Sequence, residues 1–323
     1  MTCGLFLFPQ ALEQQATLAE LRHRSMTTKM EAPPQEVEFV CRYCPQHREQ
    51  YHVTMDTVTR KSLLYRTGIG GTGAYAATHV VGCSHGCRFP CYAFLMMQRF
   101  GKVASYEEWC QPRLVTNALQ LAQKELPRLR DKARYVHLSF ATDAFMYQHP
   151  EVTVLTLQLM RLINSYDIPV HTLTKGIIPD EALQLSHHNQ FGITLVSVDE
   201  DFRTRYEPGT APYLERIAGL RRAHDLGFHC FVNIEPYPTP NIWQQDVLRV
   251  LETVDFVDEI RLGQLNYNDV VKQYPGWRTF YRRTGAIARD WCASHGIQYE
   301  GIAAADTPHP RRNASDPGDL FGA

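Results

Sequence analysis

The chain has 323 residues, 44% of them hydrophobic, and a net charge of −1 at pH 7. That supports a sizeable core and gives no support for a global basic footprint on nucleic acid or an anionic membrane; no apolar run approaches the ~18 residues that span a bilayer. Nine cysteines, an odd count in a chain too long to need disulfide staples, point to free thiols or metal ligands in a reducing cytoplasm.

The first 56 residues read as an N-terminal extension, partly disordered. Its start, "MTCGLFLFPQ", is briefly apolar but lacks the basic segment of a signal peptide. "ALEQQATLAELRHR" has helical character and "KMEAPPQE" breaks it with two prolines. "CRYCPQHREQYH" then gathers Cys41, Cys44, His47 and His52, candidate ligands for a zinc ion or an auxiliary cluster. The short gap between Cys44 and His47 makes simultaneous tetrahedral ligation hard.

From 57 to 305 the pattern alternates. A candidate first strand, "YAATHVVG", is followed by β-rich runs at "RYVHLSF" (134–140), "IPVHTLT" (168–174), "FGITLVSV" (191–198), "FHCFVNI" (228–234) and "VDEIRLG" (257–263). Helical stretches separate them. One carries Leu114, Ala118 and Leu121. "EVTVLTLQLMRLINSY" puts Val152, Leu155, Leu159 and Leu162 on one face. "PYLERIAGLRRAHDLG" starts with Pro212 in its first turn and stops at Gly227. About six strands alternating with helices predict an α/β fold with parallel strands, either a partial or full β/α barrel or a doubly wound sheet. Residues 306–323, rich in Pro, Gly and polar side chains, read as a flexible tail.

The segment most loaded with chemistry is "GCSHGCRFPCYA", residues 82–93. It follows the candidate first strand, at the strand end where β/α folds carry their functional loops. Cys83, Cys87 and Cys91 are spaced CxxxCxxxC with no second pair nearby. A structural zinc site wants four ligands, usually from paired motifs. Three thiolates suit a [4Fe–4S] cluster with one iron left open to a small molecule. His85 inside the loop is either a fourth ligand or an exposed loop histidine. Three unrelated core cysteines are the bland alternative, and the flanking Gly82, Gly86 and Pro90 weigh against it.

In this order, "GCSHGCRFPCYA" after the first strand, "SFATD" (139–143) after the second, "LTKG" (173–176) after the third and "RYEPGTAP" (205–212) after the fourth resemble the radical S-adenosylmethionine (SAM) superfamily, in its spore photoproduct lyase-like branch. The likeness runs from about Leu63 to Tyr267. It implies a partial (β/α)6 TIM-like barrel with the cluster on Cys83, Cys87 and Cys91. SAM's amino and carboxylate groups would chelate the open iron. Reductive cleavage would give a 5′-deoxyadenosyl radical that takes hydrogen from a substrate the sequence does not name. A reductase such as flavodoxin or ferredoxin would supply the electron.

The same resemblance nominates Thr142 and Asp143 for SAM's ammonium, against a turn or N-cap pair; Lys175 for its carboxylate; and Ser197 for its ribose. Arg205 and Glu207 form a substrate or SAM clamp, or an ion pair shaping a turn. Glu235, Tyr147, Tyr267 and Asn268 are pocket or packing residues. One departure stands out: the superfamily spacing is CxxxCxxC, and Pro90 lengthens the second gap by one residue, beside Phe89 and Tyr92, the candidates to pack SAM's adenine. The lyase resolves its product radical with a cysteine after the second strand, and aligning on Ser139 and Asp143 puts Phe140 there. Cys110 or Cys230 would have to substitute. Two other readings remain: a zinc-binding or nucleic-acid-associated module with structural cysteines, and a DNA-lesion lyase.

Overall fold

The computed structural model describes residues 55–68 and 70–302. The group Cys41, Cys44, His47 and His52 and the tail from 306 lie outside the described residues. The chain runs β1 (Asp56–Val58), β2 (Leu64–Arg66), β3 (Ala74–Ala77), β4 (Val80–Val81), α1 (Tyr92–Arg99), α2 (Tyr106–Trp109), β5 (Arg113–Val115), α3 (Ala118–Glu125), β6 (Tyr135–Leu138), α4 (Pro150–Asn164) and β7 (Val170–Thr174). It continues with β8 (Gln190–Thr194), α5 (Glu200–Tyr206), α6 (Tyr213–Asp225), β9 (His229–Tyr237), α7 (Val247–Glu252), β10 (Glu259–Gln264), α8 (Asp269–Lys272), α9 (Trp277–His295) and β11 (Gln298–Gly301).

The large sheet has eight strands in the order β11-β10-β9-β8-β7-β6-β3-β2. Seven are mutually parallel and β2 pairs antiparallel with β3 at the edge. Each parallel strand lies beside the one before it in sequence. Right-handed crossovers that always advance in one direction keep their helices on one face. A doubly wound sheet, whose order reverses at a switch point, is therefore not the architecture.

The strands alternate as that layering requires. Val136 and Leu138 of β6 are buried, while Tyr135 and His137 between them are half-buried. In α4, Val152, Leu155, Leu159 and Leu162 are all buried, so this helix was legible from its spacing.

Four expectations change. The parallel strands number seven, because β11 adds one beyond the last β-rich run. "YAATHVVG" is not one strand: β3 belongs to the large sheet, while β4 pairs with β5 in a separate three-stranded sheet of order β1-β5-β4. Buried His79 interrupts the run; its Nε2 lies 2.7 Å from Thr156 Oγ1 and its Nδ1 3.3 Å from Ser139 Oγ. Leu114 lies in β5, and only Ala118 and Leu121 are in the helix that follows. Pro212 is the N-cap of α6, one residue before its first turn.

Candidate functional site

The cysteine loop leaves β4 and enters α1, with Cys91 as the N-cap of that helix. It has little regular structure of its own and is held by two distant segments, α2 and the end of α5 with the turn that follows. Cys83 N–H donates to Trp109 O at 2.9 Å and Arg88 N–H to Tyr206 O at 2.7 Å. Tyr106 Oη–H donates to Cys87 O at 2.6 Å. The loop in turn receives Gly209 N–H on His85 O at 3.0 Å. Two glycines make this docking possible. Gly82 has φ 86°, and a Cβ there would sit 2.8 Å from Trp109 O; a Cβ on Gly209 would sit 2.3 Å from Ser84 O.

All three loop cysteines are half-buried. Burial, with the neighbouring Cys87, pushes the Cys83 thiol well above its ordinary range. Burial also pushes Cys87 up to about 11, against the pull of Lys175. Thiols held protonated in the metal-free chain are bound by a metal only with loss of those protons. The donor set fits an iron–sulfur group, which takes thiolates. Among the described residues, no three His, Cys, Asp or Glu side chains converge where a single ion would sit; a cluster does not require that, since each thiolate binds its own iron.

His85 is not the exposed loop histidine the sequence suggested. It is 2% exposed, and burial lowers its pKa to about 4, so it is neutral near pH 7. Its Nε2 accepts from Tyr147 N–H at 3.1 Å. In a neutral imidazole the proton is then on Nδ1, which faces Asp143 Oδ2 at 3.5 Å. His85 thus ties the cysteine loop to the turn after β6.

Beside the loop sits a buried charge network. Glu207 and Arg216 side chains are 0% exposed. Arg216 reaches Glu207 Oε2 at 3.3 Å and donates to Ala211 O at 2.8 Å and Thr194 O at 2.9 Å; it also contacts Thr210 Oγ1. Tyr213 Oη–H donates to the same Glu207 oxygen at 3.3 Å. The other oxygen, Oε1, lies 2.6 Å from Lys175 Nζ, and Nζ lies 3.4 Å from Cys87 Sγ. Burial alone would raise the Glu207 carboxyl, but Lys175 and Arg216 outweigh it and hold it below its ordinary value. Burial would likewise lower the Lys175 ammonium, but Cys87 and Glu207 hold it up.

The expected ion pair of Glu207 with its neighbour Arg205 does not form, because Arg205 is exposed and its guanidinium lies over the Tyr206 ring at 5.5 Å. "RYEPGTAP" begins with the last two residues of α5, Arg205 and Tyr206, rather than directly after the fourth parallel strand. Arg216, which takes the partner's place, was missed. Its signal was an arginine on the buried face of α6, among Tyr213, Gly219, Leu220 and Ala223.

Of the other nominated residues, Asp143, Thr142, Ser197 and Asn268 have protein partners. Asp143 Oδ1 accepts from Phe145 N–H at 2.9 Å and Thr174 Oγ1–H at 2.6 Å, and Oδ2 from Lys175 N–H at 2.8 Å. Thr142 Oγ1–H donates to Val80 O at 3.2 Å. Ser197 is buried and its Oγ accepts from Asp199 N–H at 3.1 Å. Asn268 caps α8 through Val270 N–H. Tyr147 is half-buried, Tyr267 is 74% exposed, and Glu235 is exposed near the end of β9. Phe89 is buried against Phe202 and Tyr206, with Lys175 Nζ 5.6 Å from its ring centre. Tyr92 is exposed, and its hydroxyl donates to Phe140 O at 2.9 Å.

The chain shares the fold of spore photoproduct lyase. Against that lyase complexed with dinucleoside spore photoproduct, the TM-score is 0.55 at 13% identity, covering 76% of this chain and 81% of the other. A mutant of the lyase with bound AdoMet (SAM) and dinucleoside spore photoproduct gives 0.55 at 15% identity, over 75% and 80%. In sequence, the chain is similar to the uncharacterized protein ORF301 of Acidianus two-tailed virus, 23% identical over 219 residues, or 64% of this chain and 71% of that protein. No known family profile matches the chain. The resemblance read from the motifs thus holds at the level of fold.

Proposed function

We propose that this chain is a radical SAM enzyme, built on a partial β/α barrel, that binds a [4Fe–4S] cluster through Cys83, Cys87 and Cys91. The observation that carries the reading is a three-thiol loop at the rim of a parallel sheet, with a half-buried lysine against Cys87, in a fold shared with a lyase solved with bound AdoMet. The monotonic strand order supports the barrel, since a parallel sheet wound in one direction curls rather than reversing. The bound cluster would supply one electron to cleave SAM to a 5′-deoxyadenosyl radical.

The chain's own part is to bind, orient and shield. His85 and Asp143 fix the back of the cysteine loop, and Gly209 lets the "EPGTAP" turn close over it. Lys175 has three N–H donors. Glu207 and Cys87 take two, and the third is available to the carboxylate of SAM. An external one-electron donor of the flavodoxin or ferredoxin type is the partner this chemistry requires.

Repair of spore photoproduct is not the reaction we propose. Phe140 offers no thiol. Cys230 is wholly buried, its Sγ against Leu220 O. Cys110 packs behind the loop with Cys83 and Cys91. The substrate is a different molecule.

The reading is tested by anaerobic reconstitution. A brown protein that binds about four irons and releases 5′-deoxyadenosine from SAM with dithionite supports it. A colourless, zinc-loaded protein refutes it. With a spore-photoproduct dinucleotide the active protein should release no thymine; sustained release would assign the lesion-lyase reaction instead.

A further inference from the structure

Lys175 is not an ordinary strand-end lysine. Its N–H is bonded to Asp143 Oδ2 at 2.8 Å and its carbonyl accepts from Ala211 N–H at 3.0 Å. Its side chain is 16% exposed. The ammonium is gripped by a carboxylate that cannot turn away, because Arg216 and Tyr213 hold the other oxygen of Glu207. What the grip achieves is to aim Nζ at Cys87 Sγ, 3.4 Å away.

We infer that Lys175, oriented by Glu207, is a positioning residue for the cluster, donating an N–H···S hydrogen bond to Cys87 that sets how readily the bound cluster accepts an electron. The inference rests on the cluster reading above and goes beyond it, because a SAM-binding lysine needs no contact with a ligand sulfur. The potential of an iron–sulfur centre depends on hydrogen bonds to its sulfurs and on nearby charge. Lys175 is the cation in contact with Cys87, with Glu207 the carboxylate in contact with Lys175. Positive charge at a ligand sulfur favours the reduced, more negative cluster. Among the described residues, Cys91 has no such cation in contact: it caps α1 and packs against the small apolar cluster around Trp109. The influence is therefore one-sided, acting through a single sulfur.

The test is the midpoint potential of the reconstituted full chain, without SAM, in wild type, Lys175→Met, Lys175→Arg and Glu207→Gln. Lys175→Met removes donor and charge, and its potential should fall. Glu207→Gln removes a nearby negative charge, and its potential should rise. Lys175→Arg should stay near wild type. Opposite signs from the two partners are not what a merely structural pair would give. Lys175→Met at full iron content and unchanged potential overturns the inference. A second measurement covers variants that hold no cluster: alkylation of the iron-free chain by iodoacetamide at one fixed pH, read by peptide mass. Lys175→Met should slow modification of Cys87 relative to Cys91, since the ammonium stabilises the reactive thiolate. An unchanged ratio overturns the contact. If wild-type protein takes up no iron at all, the cluster reading fails, and the alkylation ratio alone then decides whether Lys175 acts on Cys87.

Discussion

The helix-facing side of the large sheet and the rim that carries the cysteine loop solve burial in opposite ways. On the helix side, Val136, Leu138, Val170, Phe191, Ile193, Val232, Ile260 and Leu262 are essentially sealed from water, and each contributes through apolar area alone. At the rim the sealed side chains are His85, Asp143, Glu207 and Arg216, with Lys175 nearly so. Every one of them has a named partner, as burial of a charge demands. An apolar layer responds to damage by degrees, losing about 1 kcal/mol per methylene. A charge network responds abruptly when one partner goes. Replacing such a network with apolar residues is often neutral or stabilising, so its presence at this one rim is better explained by chemistry than by stability.

The sharpest way to test that contrast is to remove thiols from the two regions. Cys83→Ala, Cys87→Ala and Cys91→Ala should each lose most of the bound iron and all dithionite-dependent SAM cleavage. Cys230→Ala and Cys292→Ala, from the core, should keep both, as should Cys110→Ala. Iron per protein and 5′-deoxyadenosine release are the readouts, and a rim variant with both intact removes that residue from the ligand set.

Next in size is a stability comparison. Arg216→Met strands the Glu207 carboxylate with Lys175 as its remaining ionic partner and should cost about 3–5 kcal/mol. Ile193→Val, one methyl from the apolar layer, should cost roughly 0.5–1.5 kcal/mol. Urea unfolding of both decides it; equal losses would mean the two regions fail alike.

Smaller is the effect on cofactor binding. Lys175→Ala should weaken SAM by about five- to 150-fold, or roughly 1–3 kcal/mol, with iron retained. Titration of the cluster's visible spectrum with SAM reads this directly, and unchanged affinity leaves SAM's carboxylate to another group.

The last test is acid. Burial lowers the pKa of His79 to about 3 and of His85 to about 4, with His137 and His171 at about 4 and 3. The unfolded chain takes up protons on these groups near pH 6.5, while the folded chain does not until lower pH. Stability should therefore be fully present above about pH 6.5 and fall as the pH drops towards 4. Glu207, held below its ordinary value, adds a loss in the same direction at still lower pH. Urea midpoints that stay flat from pH 7 to 4.5 would contradict these shifts.

The two regions also differed in how far the sequence disclosed them. The sheet and its helices were readable because periods of 2 and 3.6 are local, as in "EVTVLTLQLMRLINSY". The cysteine loop was readable because three thiols within nine residues suit few chemistries besides metal or cluster ligation. The rim network was not, because its partners are far apart in the chain. Glu207 was matched with adjacent Arg205, whereas its carboxylate is met by Lys175 from the end of β7 and Arg216 from α6. The split of "YAATHVVG" was hidden for the same reason: the partners of His79 come from β6's end and α4, and nothing local announces them.

The Gly209 contact has a consequence for how the protein is made. Strands that neighbour each other in sequence also neighbour each other in the sheet, so the sheet can grow as the chain emerges from the ribosome. The thiol loop cannot be finished that way. Cys91 is synthesised long before Gly209 closes over His85, and Arg216 comes later still. Until then the three thiols are presented without their clasp, open to adventitious metals and oxidants. In the cluster reading proposed above, insertion of the cluster is therefore an event of the completed domain and not of the nascent loop.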